Sequence, residues 1–296
     1  MHPNPMLHKL GLAGADRVAI IHADDIGMCG ATLDAFADLA GFGLVSCGAL
    51  MVPCPWFPAV ADYARGHPRA DLGVHLTLNC EYTRYRWGPI STCDPASGLL
   101  DAEGYFFRRP QDTQMHADPG AVRAELRAQV QRSLAAGVDV SHVDTHMGTV
   151  AHRKFTAAYV GLAIEFHLPL MLMRYDEAGW RAQGLDAETA TQAASAVNEL
   201  EAAGVALVDH ITGMPLDAPE DRLARAKAAF AGLPAGVTHF VIHPATDTPE
   251  LRAIATHDWP SRVGDYRTFM SEELARFVRG RGIHVIGYRA LRGLMR

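Results

Sequence analysis

A regular alternation of short apolar runs with alanine-rich stretches most constrains the fold of this chain. Apolar runs of strand length recur at residues 17–25, 43–53, 72–79, 140–147, 168–175, 205–214, 238–245 and 282–291. Such runs are typical of strands that are buried on both faces of a parallel sheet. Stretches with helical spacing lie between many of them, for example at residues 118–137, 186–204 and 219–233. The order strand, helix, strand predicts an α/β protein.

About eight strand–helix units in 296 residues predict a single (β/α) barrel of the TIM type. The helix at 118–137 fits this pattern, because Asp118 and Pro119 can start it and Gly137 can end it. A doubly wound open sheet is the alternative. No G-x-G-x-x-G motif follows the first apolar run, which disfavours a dinucleotide-binding version of that fold. We therefore expect residues 1–296 to form one domain.

Residues 80–117 interrupt the alternation with a segment rich in arginine, tyrosine, tryptophan, glycine and proline. The segment is too aromatic for a disordered linker. We predict a long loop insertion after the third strand, lying over the mouth of the barrel. Its Tyr85, Arg86 and Trp87 either contact a ligand at that mouth or pack the loop itself.

Composition excludes several classes of protein. The formal net charge of −6 argues against a general binder of nucleic acid or of anionic membranes. No apolar run approaches the ~20 residues that a membrane-spanning helix requires, and the N-terminus lacks a signal-peptide pattern. Five scattered cysteines without a C-x-x-C pair argue against a disulfide framework or a thiolate zinc site. We expect a cytoplasmic protein with neither nucleic acid nor membrane as a partner.

Polar side chains gather where the predicted strands end, which in a barrel is the mouth where active sites form. The first, third, fourth, fifth and seventh strands contribute Asp24 and Asp25, His75, His146, Arg174 and His243. An aspartate and several histidines at one mouth are typical ligands of a divalent metal ion. Arg174 is either a substrate-binding arginine or a plain ion-pair arginine.

Spacing separates the polar residues of the fourth strand. His142, Asp144 and His146 alternate, so they point to the same side of a strand. At ~3.3 Å per residue, His142 and His146 are about 13 Å apart, too far to share one ion at bonds of ~2.1 Å. His146, nearer the carboxyl end, is the better ligand. Asp144 can orient a ligand imidazole, and His142 is predicted to be structural.

The Asp24–Asp25 pair requires a bend, because neighbours on a regular strand face opposite sides. We expect Gly27 and Gly30 to supply the backbone freedom for it. Near a cation, one carboxylate can bind the ion while the other takes a proton from water.

Four motifs in order resemble the YdjC-like carbohydrate deacetylases, also called the ChbG/HpnK family. They are IHADDIGMCGATLDAF at 21–36, LGVHLTLN at 72–79, SHVDTHMG at 141–148 and FVIHPA at 240–245. The resemblance implies a deformed (β/α) barrel with one divalent metal ion held by Asp, His and His. It implies hydrolysis of the acetyl amide of N-acetylated sugars such as chitooligosaccharides. A small carbohydrate would be the partner, and a homodimer, as in some members, stays open.

Carried over residue by residue, the resemblance makes Asp25, His75 and His146 the metal ligands. It makes Asp24 the general base and His243 the general acid, with swapped roles for Asp24 and Asp25 left open. Two imidazoles and one carboxylate suit zinc, and magnesium is the other candidate. Tyr85, Arg86, Trp87 and Arg174 would then be candidates for contact with the sugar.

Two departures from the family pattern concern the surroundings of these residues. His22 stands where the family often has asparagine, and Met147-Gly148-Thr149 stands where it often has further histidines. The metal ligands are retained, but specificity for chitobiose does not follow.

Two other functions remain as alternatives. A metal-dependent phosphoester hydrolase would need a phosphate cradle. Residues 27–31, GMCGA, form only a weak glycine-rich candidate, and no lysine follows them. A non-catalytic sugar-binding protein would be expected to have lost the metal ligands or the base, and this chain has kept both.

Overall fold

The computed structural model describes residues 3–295 and contains one parallel sheet covered by helices. Within these residues the strands are β1 (Arg17–Ile26), β2 (Cys47–Leu50), β3 (Leu72–Leu76), β4 (Val140–Thr145), β5 (His210–Gly213), β6 (Gly236–Ile242) and β7 (Ile283–Val285). They are hydrogen-bonded in the order β4-β3-β2-β1-β6-β5, and β7 also pairs with β1. Every pairing is parallel, as the continuous apolar runs predict.

The segment around residues 168–174 joins the two outer strands, β4 and β5. Parallel bridges connect Val143 to Leu170 and Met173 to Val208. The hydrogen-bonded circuit therefore closes into a deformed barrel, which confirms the predicted α/β fold. The fifth predicted strand supplies only these isolated bridges, and its Pro169 has no N–H to donate to a neighbouring strand.

The predicted eighth strand at 282–291 is confirmed only at Ile283–Val285, which form β7. β7 has three residues and pairs with Arg17–Ala19, while β6 occupies the other edge of β1 along Arg17–Ala23. β6 thus adjoins β1 directly, and the barrel has seven positions. The rest of the predicted strand begins a helix after Gly287. A side chain at Gly287 would overlap the carboxylate of Asp71, so the chain turns there only with glycine.

Helices cover the outside of the barrel and its amino-terminal end. Their bounds are α1 (Pro5–Lys9), α2 (Gly30–Phe42), α3 (Phe57–Gly66), α4 (Pro110–His116), α5 (Pro119–Ala135), α6 (Thr156–Phe166), α7 (Glu177–Ala182), α8 (Ala187–Ala202), α9 (Arg222–Ala231), α10 (Pro249–Ile254), α11 (Trp259–Phe269), α12 (Glu272–Gly280) and α13 (Tyr288–Leu294). Two 3₁₀ turns span Pro95–Ser97 and His146–Ala151. Among the described residues, no helix has both the length and the apolar character needed to traverse a bilayer.

The predicted helices at 118–137, 186–204 and 219–233 are confirmed as α5, α8 and α9. The Asp118 side chain accepts a hydrogen bond from the backbone N–H of Ala121, which caps α5 as its sequence predicts. Gly137 follows that helix with φ of 85°, a left-handed conformation that glycine adopts without strain.

The two faces of β1 explain where the functional residues lie. Ile21 and Ala23 join the main apolar core, whereas Val18 and Ile20 join a second cluster with Tyr288 and other residues near the strand starts. The even-numbered residues thus form the inward face. This face is apolar at first and becomes polar farther along the same strand, toward the mouth.

The insertion at 80–117 is folded onto the barrel. Leu100 and Phe106 pair as an antiparallel bridge, and both Leu99 and Phe106 are fully buried. The indole N–H of Trp87 donates to the carbonyl of Asn79 at 3.0 Å, which anchors the insertion just after β3.

Candidate metal centre

Asp25, His75 and His146 bring three donor atoms to one point inside the mouth of the barrel. Asp25 Oδ1 lies 3.4 Å from His75 Nε2 and 3.1 Å from His146 Nδ1. The three residues are buried, and their donor atoms all lie within 4.8 Å of one another. These separations suit ligands that share one ion at bonds of about 2.1 Å. The group can therefore hold one divalent cation.

A bend at the end of β1 turns Asp25 toward this point. The pairing of β1 with β2 shifts register between Ala23 and Ile26, and Asp25 has φ of 63°. Aspartate is among the few residues other than glycine that tolerate this left-handed region. The predicted bend is present, and Gly27 contributes with φ of 86°. Gly30 does not; it leaves room for the Trp56 ring instead.

Two carboxylates determine which nitrogen of each imidazole faces Asp25. Asp144 Oδ2 lies 2.9 Å from His75 Nδ1, and Glu81 Oε2 lies 3.0 Å from His146 Nε2. An ionised carboxylate only accepts hydrogen bonds, so each of these nitrogens carries the proton. In their neutral forms, His75 and His146 then present the lone pairs of Nε2 and Nδ1 to Asp25 Oδ1, which is buried and receives no hydrogen bond of good geometry. Three lone pairs directed at one point fit a cation.

Without a cation, the surrounding carboxylates favour protons on both imidazoles. Burial alone would lower the pKa of His75, but the charges of Asp144 and Asp24 outweigh it and raise that pKa well above its usual value. For His146, Glu81 and Asp25 likewise overcome burial and raise the pKa to about 9. A divalent cation can replace these protons as the source of positive charge.

Arg262 of α11 holds the second oxygen of Asp25. Its guanidinium donates to Asp25 Oδ2 at 2.8 Å, to Asp258 Oδ2 at 2.7 Å and to the Tyr82 hydroxyl at 3.2 Å. Burial alone would raise the pKa of Asp25, but the charges of Arg262 and His146 lower it well below its usual value. Asp25 therefore stays ionised, with Oδ1 left for an ion.

Asp24 and His243 lie beside the three donor residues. Asp24 Oδ2 is 3.7 Å from His75 Nε2 and 3.8 Å from His243 Nε2. Asp24 Oδ1 lies 2.6 Å from His22 Nδ1. The backbone N–H of His243 donates to Asp265 Oδ2 at 3.0 Å, which fixes its position after β6. The pKa of Asp24 falls below its usual range, because the charge of His75 and the hydrogen bond from His22 outweigh its burial.

Arg174 is buried away from this group. Its Nε donates to Glu201 Oε1 at 2.8 Å and its NH1 to Asp209 Oδ1 at 3.3 Å. Asp209 also accepts from the backbone N–H of Val237, at the start of β6, whereas His243 follows the end of that strand. These contacts favour the ion-pair alternative for Arg174, and they give no support to its predicted role in substrate binding.

The three predicted sugar contacts of the insertion make bonds within the protein. The Tyr85 hydroxyl donates to the carbonyl of Met28 at 2.7 Å, and Arg86 donates to Asp101 Oδ2 at 2.6 Å. Trp87 is 3% exposed, and its ring centroid lies 6.4 Å from that of His146. These contacts favour loop packing, so binding of sugar by these three residues stays a prediction.

Sequence reasoning missed Glu81, Arg262 and the contact of His22 with Asp24. Glu81 lies two residues after the third apolar run, and its proximity to that strand end was an available signal. His22 lies two positions before Asp24 on β1, a spacing that places both on one face. Arg262 has no such signal, because only the packing of α11 brings it to Asp25.

Comparison with known proteins assigns the chain to a family. A family model described as YdjC-like protein matches residues 18–280. A carbohydrate deacetylase of Thermus thermophilus is 32% identical over 287 residues, covering 97% of this chain and 98% of that protein. A carbohydrate deacetylase of Thermoanaerobacter pseudethanolicus is 22% identical over 275 residues, covering 92% and 98%.

A solved structure shares the fold. A protein from Enterococcus faecalis V583, provisionally described as a cellobiose-phosphate cleavage protein, superposes with a TM-score of 0.74 at 22% identity. The match covers 93% of this chain and 99% of the other. The family model spans most of the chain, and the Thermus relative aligns over nearly its whole length. The chain therefore belongs to the YdjC-like protein family.

Proposed function

We propose that this protein is a metal-dependent hydrolase that removes the acetyl group from an N-acetylated sugar. The observation that carries the proposal is the meeting of Asp25, His75 and His146 around one point, with Asp24 beside them. Relatives named carbohydrate deacetylase, one of them aligned over nearly the whole chain, support the substrate class.

The residues around the three ligands fit amide hydrolysis. When bound, a divalent cation supplies a Lewis acid for the acetyl carbonyl and makes the attacking water more acidic. Asp24 directs Oδ2 toward His75 Nε2 and can accept a proton from that water. His243 Nε2, 3.8 Å from the same oxygen, can donate a proton to the departing sugar amine.

The donor set favours zinc over magnesium. Two imidazole nitrogens and one carboxylate oxygen are typical of catalytic zinc sites. Magnesium prefers oxygen ligands and retains several waters. We therefore use zinc as the first ion in the experiment below.

The contacts of the glycine-rich segment argue against the phosphoester alternative. The backbone N–H of Gly30, at the start of α2, donates to Glu250 Oε2 at 3.3 Å, and that of Gly27 donates to Thr32 Oγ1 at 3.1 Å. A phosphate cradle needs free amides at a helix start. Here a carboxylate already lies at that position, and it would repel a phosphate.

Acetate release from N-acetylglucosamine oligomers tests the proposal. Zinc-loaded protein should release acetate, EDTA should abolish the release, and added zinc should restore it. Asp24→Asn should lower kcat by roughly 100-fold or more while the protein keeps its zinc, because only the base is lost. Release of phosphate from p-nitrophenyl phosphate without acetate release would support the phosphoester hydrolase. Sugar binding without turnover would support the non-catalytic alternative.

A further inference from the structure

A chain of buried hydrogen bonds ends at Asp24. His22 Nδ1 lies 2.6 Å from Asp24 Oδ1, and His22 Nε2 lies 2.7 Å from His142 Nε2. His142 Nδ1 in turn lies 2.9 Å from Ser141 Oγ. His22, His142 and Ser141 are 0% exposed and Asp24 is 8% exposed. The first two bonds link the interior of the barrel to the candidate base.

The chemistry of each partner gives the bonds a direction. An ionised Asp24 can only accept, so His22 Nδ1 must carry the proton in that bond. If His22 is neutral, its Nε2 is an acceptor, and His142 Nε2 must donate to it. Burial lowers the pKa of His142 well below its usual value, so this ring is neutral and its Nδ1 accepts from the Ser141 hydroxyl. With His22 neutral, this assignment gives each of the three hydrogen bonds one donor and one acceptor.

The surroundings of His142 are shaped to hold its ring in this orientation. A side chain at Gly73 of β3 would overlap the imidazole of His142, so glycine leaves the space in which the ring lies. The Tyr288 ring stacks on the His142 ring at a centroid distance of 4.0 Å and an interplanar angle of 19°. The ring of His142 is thus confined, with Nε2 held toward His22 and Nδ1 toward Ser141.

We propose that His22 is a positioning residue whose Nδ1–H donates a hydrogen bond to Oδ1 of Asp24. Because Oδ1 accepts this bond, Oδ2 is the oxygen that takes the proton from water. The inference rests on the proposed hydrolase function and extends it to the atoms involved. The proton from water ends on Asp24 Oδ2, and the His22 proton stays on Nδ1. Asp24 Oδ2 is also the oxygen that lies near His75 Nε2 and His243 Nε2, at 3.7 and 3.8 Å.

Three variants test this inference in zinc-loaded protein. His22→Asn keeps an amide N–H at the position of Nδ1, whereas His22→Leu has no donor. Tyr288→Phe is the matched control, since it removes a buried hydroxyl that bonds to His239 and leaves the chain to Asp24 intact. The measurements are kcat and KM for acetate release from N,N′-diacetylchitobiose, and zinc per chain.

Loss of the hydrogen bond from His22 to Asp24 should lower kcat and leave KM and the zinc content nearly unchanged. We expect His22→Leu to reduce kcat at least about tenfold with KM and zinc content within about twofold of the wild type. His22→Asn should recover most of that loss, and Tyr288→Phe should stay within about twofold. Wild-type kcat in His22→Leu, or no recovery in His22→Asn, would overturn the inference.

Nuclear magnetic resonance of ¹⁵N-histidine-labelled wild-type protein shows directly which ring nitrogens of His22 and His142 carry protons. This measurement needs no substrate and does not depend on the folding of any variant. We expect a slowly exchanging N–H at His22 Nδ1 and another at His142 Nε2. A His22 ring protonated only at Nε2 would contradict the inference even if every variant failed to fold. If the wild type releases no acetate, the proposed function fails, and this spectrum still tests the hydrogen-bond chain by itself.

Discussion

At the scale of single residues, the candidate centre depends as much on the partners of the ligands as on the ligands. Asp144 and Glu81 set the orientation of His75 and His146, and Arg262 occupies the second oxygen of Asp25. Such partners fix the tautomer and the ring orientation of ligand imidazoles. Their removal should therefore change metal binding or stability in distinguishable ways.

Asp144→Asn should weaken zinc binding by roughly 10- to 100-fold, because the uncharged amide holds the N–H of His75 less firmly and makes the ring a poorer donor. Isothermal titration of metal-free protein with zinc measures the effect. Asp139→Asn is the control, since this residue precedes β4 and pairs with Arg292 away from the ligands. Equal affinities of Asp144→Asn and the wild type would show that Asp144 does not support His75.

Arg262→Met should lower the free energy of unfolding of metal-free protein by about 3–5 kcal/mol, because it removes the guanidinium from a buried ion pair with Asp25 and Asp258. Urea denaturation measures this loss. Arg109→Met, which removes an exposed pair with Asp112, should leave the denaturation midpoint unchanged. A midpoint for Arg262→Met equal to that of the wild type would mean that Arg262 does not compensate the charge of Asp25.

At the scale of elements, strands with a regular side-chain period were predictable and irregular ones were not. Asp24, His75 and Asp144 follow from the alternation along β1, β3 and β4. The interval around Leu170 has the composition of a strand but forms only isolated bridges. At 282–291 the apolar run is shared between three residues of β7 and the start of α13, and local composition does not reveal where one ends.

Gly73→Ala tests how closely β3 and β4 pack inside the barrel. The added methyl group would overlap the His142 ring, so the free energy of unfolding should fall by about 1–3 kcal/mol. Gly41→Ala in α2, where nothing lies within 4 Å of the added carbon, should instead be neutral or stabilising by up to about 1 kcal/mol. Thermal and urea denaturation of both variants measure this contrast. Equal stabilities would indicate that His142 has room to move.

At the scale of the whole molecule, parallel strands account for the centre. All strand pairings are parallel, so the carboxyl ends meet at one mouth, and Asp25, His75 and His146 converge there despite their separation in the chain. This convergence was predictable once the strands were recognised. Glu81 and Arg262 come from the insertion and from α11, and their approach depends on tertiary packing that no local pattern encodes.

Zinc content per chain, measured on the wild type and on Asp25→Ala after dialysis against buffered zinc, tests the central claim most directly. We predict one equivalent in the wild type and a large loss in Asp25→Ala, with an unchanged far-ultraviolet circular dichroism spectrum. Asp112→Ala, which alters a partly exposed acid far from the ligands in sequence, should keep its zinc. Full retention of zinc by folded Asp25→Ala would contradict a centre built from Asp25, His75 and His146.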